Sequence, residues 1–166
     1  RHLANLANGD LSEESIPRGV KGWPAKGNND LFFKVWGYQL PFTNQGLAGF
    51  YDVNENGIYE PLEGDYPSIE IRGCPLNRYP DEMIFWIYND HGGGAPHART
   101  NGTAIQMEVQ VQAFSYVTND ELNDMTFQRY KLINRAVQLI DSTFFAMWVD
   151  PDLGCYIDDY IGCDSS

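Results

Sequence analysis

The clearest pattern of hydrophobic and polar positions lies in the second half of the chain. Over residues 105–113, every odd position is apolar and every even position is polar. Successive side chains of a strand point to opposite faces, so this period of two predicts a half-buried β-strand. Residues 83–88 are apolar at all six positions, which predicts a central strand that is covered on both faces.

Further strands are predicted on both sides of these two. Residues 31–36 are rich in aromatic side chains and begin the part of the chain with strand-like composition. Residues 126–134 and 143–149 are two further predicted strands, and the connection between them predicts a hairpin with a long loop. Strands joined by turn-rich connections, without alternating helices, predict an all-β fold of the antiparallel β-sandwich type.

The N-terminal part has a different character. Residues 1–30 contain many turn-forming residues and little hydrophobic periodicity, so we expect an extended leader that packs on the domain. Residues 31–166 would then form one β-sandwich-like domain with long loops. The chain begins with Arg1 and stops just after a strongly patterned stretch, so we expect it to be an excerpt of a longer polypeptide.

The four tryptophans fall into two groups. Trp36, Trp86 and Trp148 lie inside predicted strands, so we expect them in the core. Trp23 lies next to Pro24 in the leader, and is the tryptophan we expect to be free for contacts with a ligand.

Charge narrows the range of partners. The chain has 23 acidic and 11 basic residues and a net charge of −12 at pH 7. We expect no nucleic-acid partner, because such binding depends on Lys and Arg neutralising phosphates. No run of 18 apolar residues is present, so we expect no membrane insertion. Acids concentrate in residues 52–65 and 150–164, and neither window contains Lys or Arg.

The first acidic window has the spacing of a calcium loop. Asp, Asn and Asn at alternating positions are followed by Gly57 and later by further carboxylates. The predicted ligands are Asp52, Asn54, Asn56, the carbonyl of Ile58, and Glu60, Glu63 or Asp65 as the closing carboxylate. Pro61 and Pro67 exclude the exiting helix of an EF-hand, so we predict a free-standing Ca²⁺ loop on a β scaffold. The alternative is a turn rich in Asx and Gly that binds no ion.

The second acidic window is a less specific candidate for Ca²⁺. Its carboxylates follow the end of a predicted strand and have no neighbouring base. They are Asp150, Asp152, Asp158, Asp159 and Asp164. An ion at this site and a solvated acidic turn are both compatible with the spacing.

One stretch invites a catalytic interpretation. Asp90 and His91 are adjacent, and a stretch that contains three glycines separates them from His97, as in a catalytic lid or a transition-metal site. Such runs are more typical of a mobile loop between strands, so we expect no catalytic residues and no enzyme. A calcium-dependent lectin-like module, which binds glycans through Trp23, is the alternative to a structural or adhesive role.

The three cysteines lack the spacing of a zinc site. Cys155 and Cys163 can close a short disulfide loop. Cys74 can pair with either of them, or with a residue outside this excerpt.

Several of these segments, in order, resemble a pattern found in very large secreted proteins of Bacteroidota. The segments are Trp23-Pro-Ala-Lys-Gly27, residues 47–61, 64–67, 86–90, 108–114, 130–134, 148–154 and 158–164. The chain is similar to the adhesin-like and gliding-associated surface proteins that the type IX secretion system exports. The resemblance implies an extracellular or cell-surface location, with other segments of the same polypeptide or other surface proteins as partners. It also implies a candidate O-glycosylation site at Ser142, within the triplet Asp141-Ser142-Thr143.

Overall fold

A computed structural model describes residues 7–9, 11–42, 46–71, 74–75, 79–91, 97, 101–148, 154–155 and 157. In this part of the chain, two short helices precede antiparallel strands, in agreement with the predicted all-β class. None of the described helices is long and apolar enough to cross a lipid bilayer.

The two helices are α1, Arg18–Lys21, and α2, Asn29–Trp36. Helix α2 ends at Gly37, whose φ of 77° is left-handed and whose N–H donates to the carbonyl of Phe33 at 2.8 Å. The prediction of a strand over residues 31–36 is therefore wrong. The apolar side chains of Leu31, Phe32 and Val35 lie on one side of helix α2 and are partly buried.

Two small sheets follow. Strand β1, Phe50–Tyr51, pairs antiparallel with β2, Tyr66–Pro67, and β3, Glu70–Ile71, pairs antiparallel with β4, Cys74–Pro75. The predicted Ca²⁺ loop is therefore the whole connection between β1 and β2.

The largest sheet has three antiparallel strands: β5, Glu82–Asn89, β6, Met107–Ser115, and β7, Phe127–Asn134. A single 3₁₀ turn, Glu121–Asp124, precedes β7. The structure confirms that strands lie at the positions predicted from residues 83–88, 105–113 and 126–134. The position of β5 differs from the prediction, because β6 is the central strand and β5 lies at an edge of the described sheet. The predicted hairpin partner of β7 is absent, because residues 143–148 form no strand.

The faces of this sheet differ from what the alternation of β6 suggests. Gln110 and Gln112 are 2% and 1% exposed, so the polar side of β6 is buried. Their amide nitrogens donate to the carbonyls of Gly46 and Ser68, respectively. The opposite face holds fully buried Val111 in its middle, with exposed apolar side chains on the neighbouring strands. We call this surface the open face and define it as Ile84, Trp86, Tyr88, Tyr130 and Leu132.

The core lies where the N-terminal segment meets the β1–β2 connection. Buried Trp23, Ala25, Ala48 and Tyr59 form one cluster. Partly buried Phe50, Met83 and Phe85 pack against that cluster. The leader is thus anchored to the sheets through its own side chains.

The tryptophan assignments made from the sequence are reversed. Trp23 is 5% exposed, and its indole N–H donates to the carbonyl of Gly49 at 3.0 Å. Trp36, Trp86 and Trp148 are 42%, 37% and 85% exposed. Local hydrophobicity predicted burial for those three, but burial depends on which surfaces other elements cover.

Replacement of Trp23 tests this assignment. We expect Trp23→Phe to lower the free energy of unfolding by about 1–3 kcal/mol, because it removes core volume and one of the two hydrogen bonds to the Gly49 carbonyl, which keeps the bond from Ser68 N–H. Trp148→Phe, at an exposed position, should change it by less than about 0.5 kcal/mol. Urea unfolding of dilute protein, followed by far-UV circular dichroism, measures both. Equal effects of the two substitutions would contradict the assignment.

Candidate functional site

The candidate metal loop, residues 52–65, is closed at its base by the β1–β2 pair. The rings of Tyr51 and Tyr66 stack there with centroids 5.0 Å apart and an interplanar angle of 8°. Gly57 has a φ of 76°, in the region that glycine adopts without steric cost, so the sharp turn predicted at this position is present.

Side-chain oxygens fold back into the first half of the loop. The two carboxylate oxygens of Asp52 accept hydrogen bonds from the N–H groups of Asn56 at 3.2 Å and Gly57 at 2.6 Å. The Asn54 side-chain oxygen also accepts from Asn56 N–H at 3.2 Å. Oxygens of Asp52 and Asn54 therefore lie no more than twice that distance apart. Ligands on opposite sides of a calcium ion are separated by roughly 5 Å, a separation that lies within this upper limit.

Asp65 joins the two ends of the loop. It is fully buried, and its oxygens accept from Val53 N–H at 2.9 Å and from Glu60 N–H at 2.8 Å. The sequence suggested Asp65 as a ligand, and the structure gives it a role in closing the loop that spacing alone did not indicate.

Burial raises the pKa of Asp65 above its ordinary value, and the negative charges of Asp52 and Glu60 raise it further. The hydrogen bonds from Val53 and Glu60 oppose this shift, because they favour the charged carboxylate. A cation in the loop would act in the same direction as those hydrogen bonds.

The remaining predicted ligands occupy different positions. The side-chain amide of Asn56 donates to the Glu60 carboxylate, and its oxygen accepts from Ile58 N–H at 2.7 Å. The Glu63 side chain is exposed. The structure therefore brings Asp52, Asn54, Asn56 and Glu60 into one turn and leaves Glu63 at the surface.

Tyr59 is a residue of this loop that the sequence did not single out. It is 2% exposed, its N–H donates to Lys26 O at 2.8 Å, and its hydroxyl donates to Val20 O at 2.8 Å. Beside it, Gly27 has a φ of 94°, and a Cβ there would lie 2.2 Å from Ile58 Cγ2. These contacts place the back of the loop directly on the leader. The signal available in the sequence was an aromatic residue, Tyr59, within the acidic window.

The charges of the loop are not neutralised by ion pairs. In the described part of the chain, the ion pairs are Lys34–Glu13, Arg135–Glu108 and His97–Asp90, and none involves the loop. The amine of Lys26 lies near the loop, 3.9 Å from where a Cβ on Gly57 would lie. Among the described residues, no three His, Cys, Asp or Glu side chains are grouped so that they could hold a metal ion. Any site here would therefore depend on asparagine and main-chain oxygens as well as carboxylates.

Several predicted sites lie outside the described residues. These are the five carboxylates of the second acidic window, Asp150, Asp152, Asp158, Asp159 and Asp164, together with Cys163. The thiol of Cys155 is free and exposed, and only the main chain of Cys74 is described, within β4. Ser142 is exposed, at a bend with a φ of 50°. The disulfide and glycosylation predictions stay predictions.

Asp90 and His97 are brought together, with His97 Nε2 3.4 Å from Asp90 Oδ2. The same carboxylate accepts from Ile105 N–H at 2.8 Å and Met107 N–H at 3.1 Å, which fixes the start of β6. His91 is exposed. The bond from Ile105 contributes most to holding the pKa of Asp90 below its ordinary value of 3.8, with smaller contributions from Met107 and His97.

The lowered pKa of Asp90 makes a prediction about acid stability. A carboxylate whose pKa is lower in the folded chain stabilises the fold above about pH 4, and this contribution is lost as the pH falls through the folded value. We expect Asp90→Asn to reduce the melting temperature at pH 7 and to reduce the difference in melting temperature between pH 7 and pH 3. Differential scanning calorimetry across that range measures both quantities. Exposed Asp30→Asn is the control, and an equal response from Asp30→Asn would contradict the assignment.

Comparisons with known proteins do not extend this description. No protein family, curated protein or solved structure matches the chain. The resemblance to bacterial surface proteins therefore remains a prediction from the sequence motifs.

Proposed function

We propose that the chain is a calcium-binding structural or adhesive module of a large secreted cell-surface or filament-forming protein. The observation that carries the calcium part is that side-chain oxygens of Asp52 and Asn54 both fold back onto the N–H of Asn56, in the turn that contains Gly57 at positive φ. Alternating side chains in a tight loop can direct several hard oxygens to one point, which is the arrangement that Ca²⁺ favours.

The hydrogen bonds within the loop are compatible with a bound ion. A carboxylate or amide oxygen has two lone pairs, so one can accept an N–H while the other faces the cation. In the proposed site, Asp52, Asn54 and Asn56 contribute side-chain oxygens, Ile58 contributes its carbonyl, and Glu60 contributes a carboxylate. Water completes the six to eight oxygens that Ca²⁺ takes.

Charge also supports a cation. Burial raises the pKa of Asp65, and the negative charges of Asp52 and Glu60 raise it further. A divalent cation would offset this repulsion at neutral pH. Lys26 is a competing source of positive charge from the leader, because its amine lies near Gly57.

The proposed ion would have a mechanical role. The loop packs through Tyr59 on the leader and through β1 and β2 on the sheets, so an ordered loop holds these parts together. Extracellular modules bind Ca²⁺ with Kd near 10⁻⁴–10⁻³ M. In about 1 mM Ca²⁺, such a site adds roughly 0.4–1.4 kcal/mol to the free energy of unfolding. This range suits a loop that is stiffened permanently.

The open face supports the sandwich part of the proposal. Ile84, Trp86, Tyr88, Tyr130 and Leu132 form an apolar surface on one side of the three-stranded sheet. Surfaces of this kind are normally covered by a second layer. We propose that another sheet of the polypeptide covers it, as in a β-sandwich.

We propose no catalytic role. The Asp90 carboxylate already accepts two main-chain N–H groups, which supports a structural task at the start of β6. The lectin alternative depended on Trp23 as a contact residue, and Trp23 lies in the core. Secretion and surface attachment follow from the resemblance of the sequence motifs.

Calcium binding is tested by substitution of the first loop position. We expect Ca²⁺ at 1 mM to raise the melting temperature of the unmodified chain and Mg²⁺ to raise it much less. Asp52→Asn should abolish most of the rise, because it removes the one carboxylate at the start of the loop. Isothermal titration calorimetry should show saturable heat for the unmodified chain and none for Asp52→Asn.

Glu55→Gln is the matched control. Glu55 carries the same charge in the same turn, but it occupies a position that is not a predicted ligand. The control should keep the calcium response. Equal losses in Asp52→Asn and Glu55→Gln would indicate general charge screening, and no response in the unmodified chain would refute the site.

A further inference from the structure

The outer edge of β5 has main-chain groups that make no hydrogen bond to any other described residue. In an antiparallel ladder, successive residues direct their N–H and C=O groups alternately to the two sides of the strand. Asp90 N–H donates to Met107 O at 3.1 Å, which fixes the alternation. The main-chain N–H and C=O groups of Ile84 and Trp86 therefore point toward β6. Met83 and Phe85 then direct their main-chain groups away from β6. In the described part of the chain, no hydrogen bond involves those outward groups.

An apolar groove runs beside this edge. Its volume is about 910 Å³, and residues 81–85, the first half of β5, form one wall. Aromatic and proline side chains of the leader and of the region around β2 form the rest, including Pro24, Trp36, Tyr38 and Tyr79. Unpaired main-chain groups next to apolar pockets are the two features with which proteins bind an extended peptide as an added strand.

The same chain carries a segment of matching chemistry. Residues 143–148 belong to no helix or strand, and their large apolar side chains are 70–93% exposed: Phe144, Phe145, Met147 and Trp148. We call residues 143–148 the donor segment. Six extended residues span roughly 20 Å, and the wall formed by residues 81–85 spans about 17 Å.

Charge favours this occupant over most of the chain. The groove wall includes Asp81 and Glu82, and the whole chain has a net charge of −12. Acidic segments would be repelled from this wall, whereas the donor segment has no charged residue.

The donor segment follows β7, which lies on the other side of β6 from β5 and so roughly 10 Å away. No other described residue of the same chain pairs with the donor segment or fills the groove. We propose that β5 of one copy accepts the donor segment of a second copy as an added β-strand. Because the two surfaces are different, each copy can give to one neighbour and accept from another, which builds a ring or an open filament. The inference goes beyond calcium binding and does not depend on it.

Variants on each side separate donor from acceptor. Phe144→Glu with Trp148→Glu disables the donor segment, and Tyr38→Glu with Tyr79→Glu disables the groove without changing the open face. Controls with equal added charge are Val137→Glu with Leu139→Glu beside the donor segment, and Tyr130→Glu with Leu132→Glu on the open face. All the control positions are exposed. Circular dichroism confirms that each variant folds.

Sedimentation velocity over a wide range of protein concentration gives the first readout. We expect the unmodified chain and both controls to form larger species as concentration rises, and each disabled variant alone to stay monomeric. A mixture of the two disabled variants should form a dimer and nothing larger, because one intact donor meets one intact groove. A monomeric unmodified chain, or a mixture that forms no dimer, would overturn the proposal.

A peptide of residues 141–148 tests the pairing of main chains. We expect it to bind the donor-disabled variant, and N-methylation of alternate residues to weaken binding by about tenfold or more on one alternation only. That result is specific to a β-strand, because only one edge of the peptide faces β5. Equal loss with both methylation patterns, or no binding of the unmethylated peptide, would refute strand addition.

Discussion

The hydrogen bonds of the buried Asp65 carboxylate are the interaction on which the rest of the structure depends. This one side chain accepts from Val53 at the beginning of the loop and from Glu60 near its end. The two bonds hold the connection between β1 and β2 in a compact form and direct Tyr59 into the core. The cost is a negative charge in a place without water and close to other carboxylates, as its raised pKa reflects. A cation in the loop would lower that cost without changing the hydrogen bonds.

The leader and the loop form a single packing unit. Trp23 reaches the carbonyl of Gly49, Tyr59 reaches the carbonyl of Val20, and Gly27 leaves room for Ile58. Each contact joins residues that are more than twenty positions apart in the sequence. A change in the conformation of the loop should therefore change the packing of the core, because the loop residue Tyr59 is part of the core cluster. The ordering of a surface loop and the stability of the fold are linked through these few side chains.

The sequence was most informative where one local property decides the outcome. Alternation along β6 predicted a strand, because the period of two has no helical equivalent over nine residues. The Asx-Gly spacing predicted the turn at Gly57. Residues 31–36 were misassigned because aromatic composition was given more weight than spacing. The tryptophans were misassigned for a different reason: exposure depends on what other elements cover, and no local pattern contains that information. The role of Asp65 likewise depends on hydrogen bonds with residues that are distant in the sequence.

The inverted faces of the large sheet connect these observations. Gln110 and Gln112 lie on the buried side, where their amides donate to the carbonyls of Gly46 and Ser68, one before the loop and one after it. The apolar side of the same strand is then directed away from the loop and the leader. Polar side chains of β6 are thus buried while the apolar side chains of the open face stay exposed among the described residues, so a further hydrophobic gain is available on that side. The open face, the edge of β5 and the donor segment are the surfaces that this arrangement leaves exposed in the described part of the chain. The interactions that attach the sheet to the loop therefore leave its remaining apolar surface for other polypeptide segments.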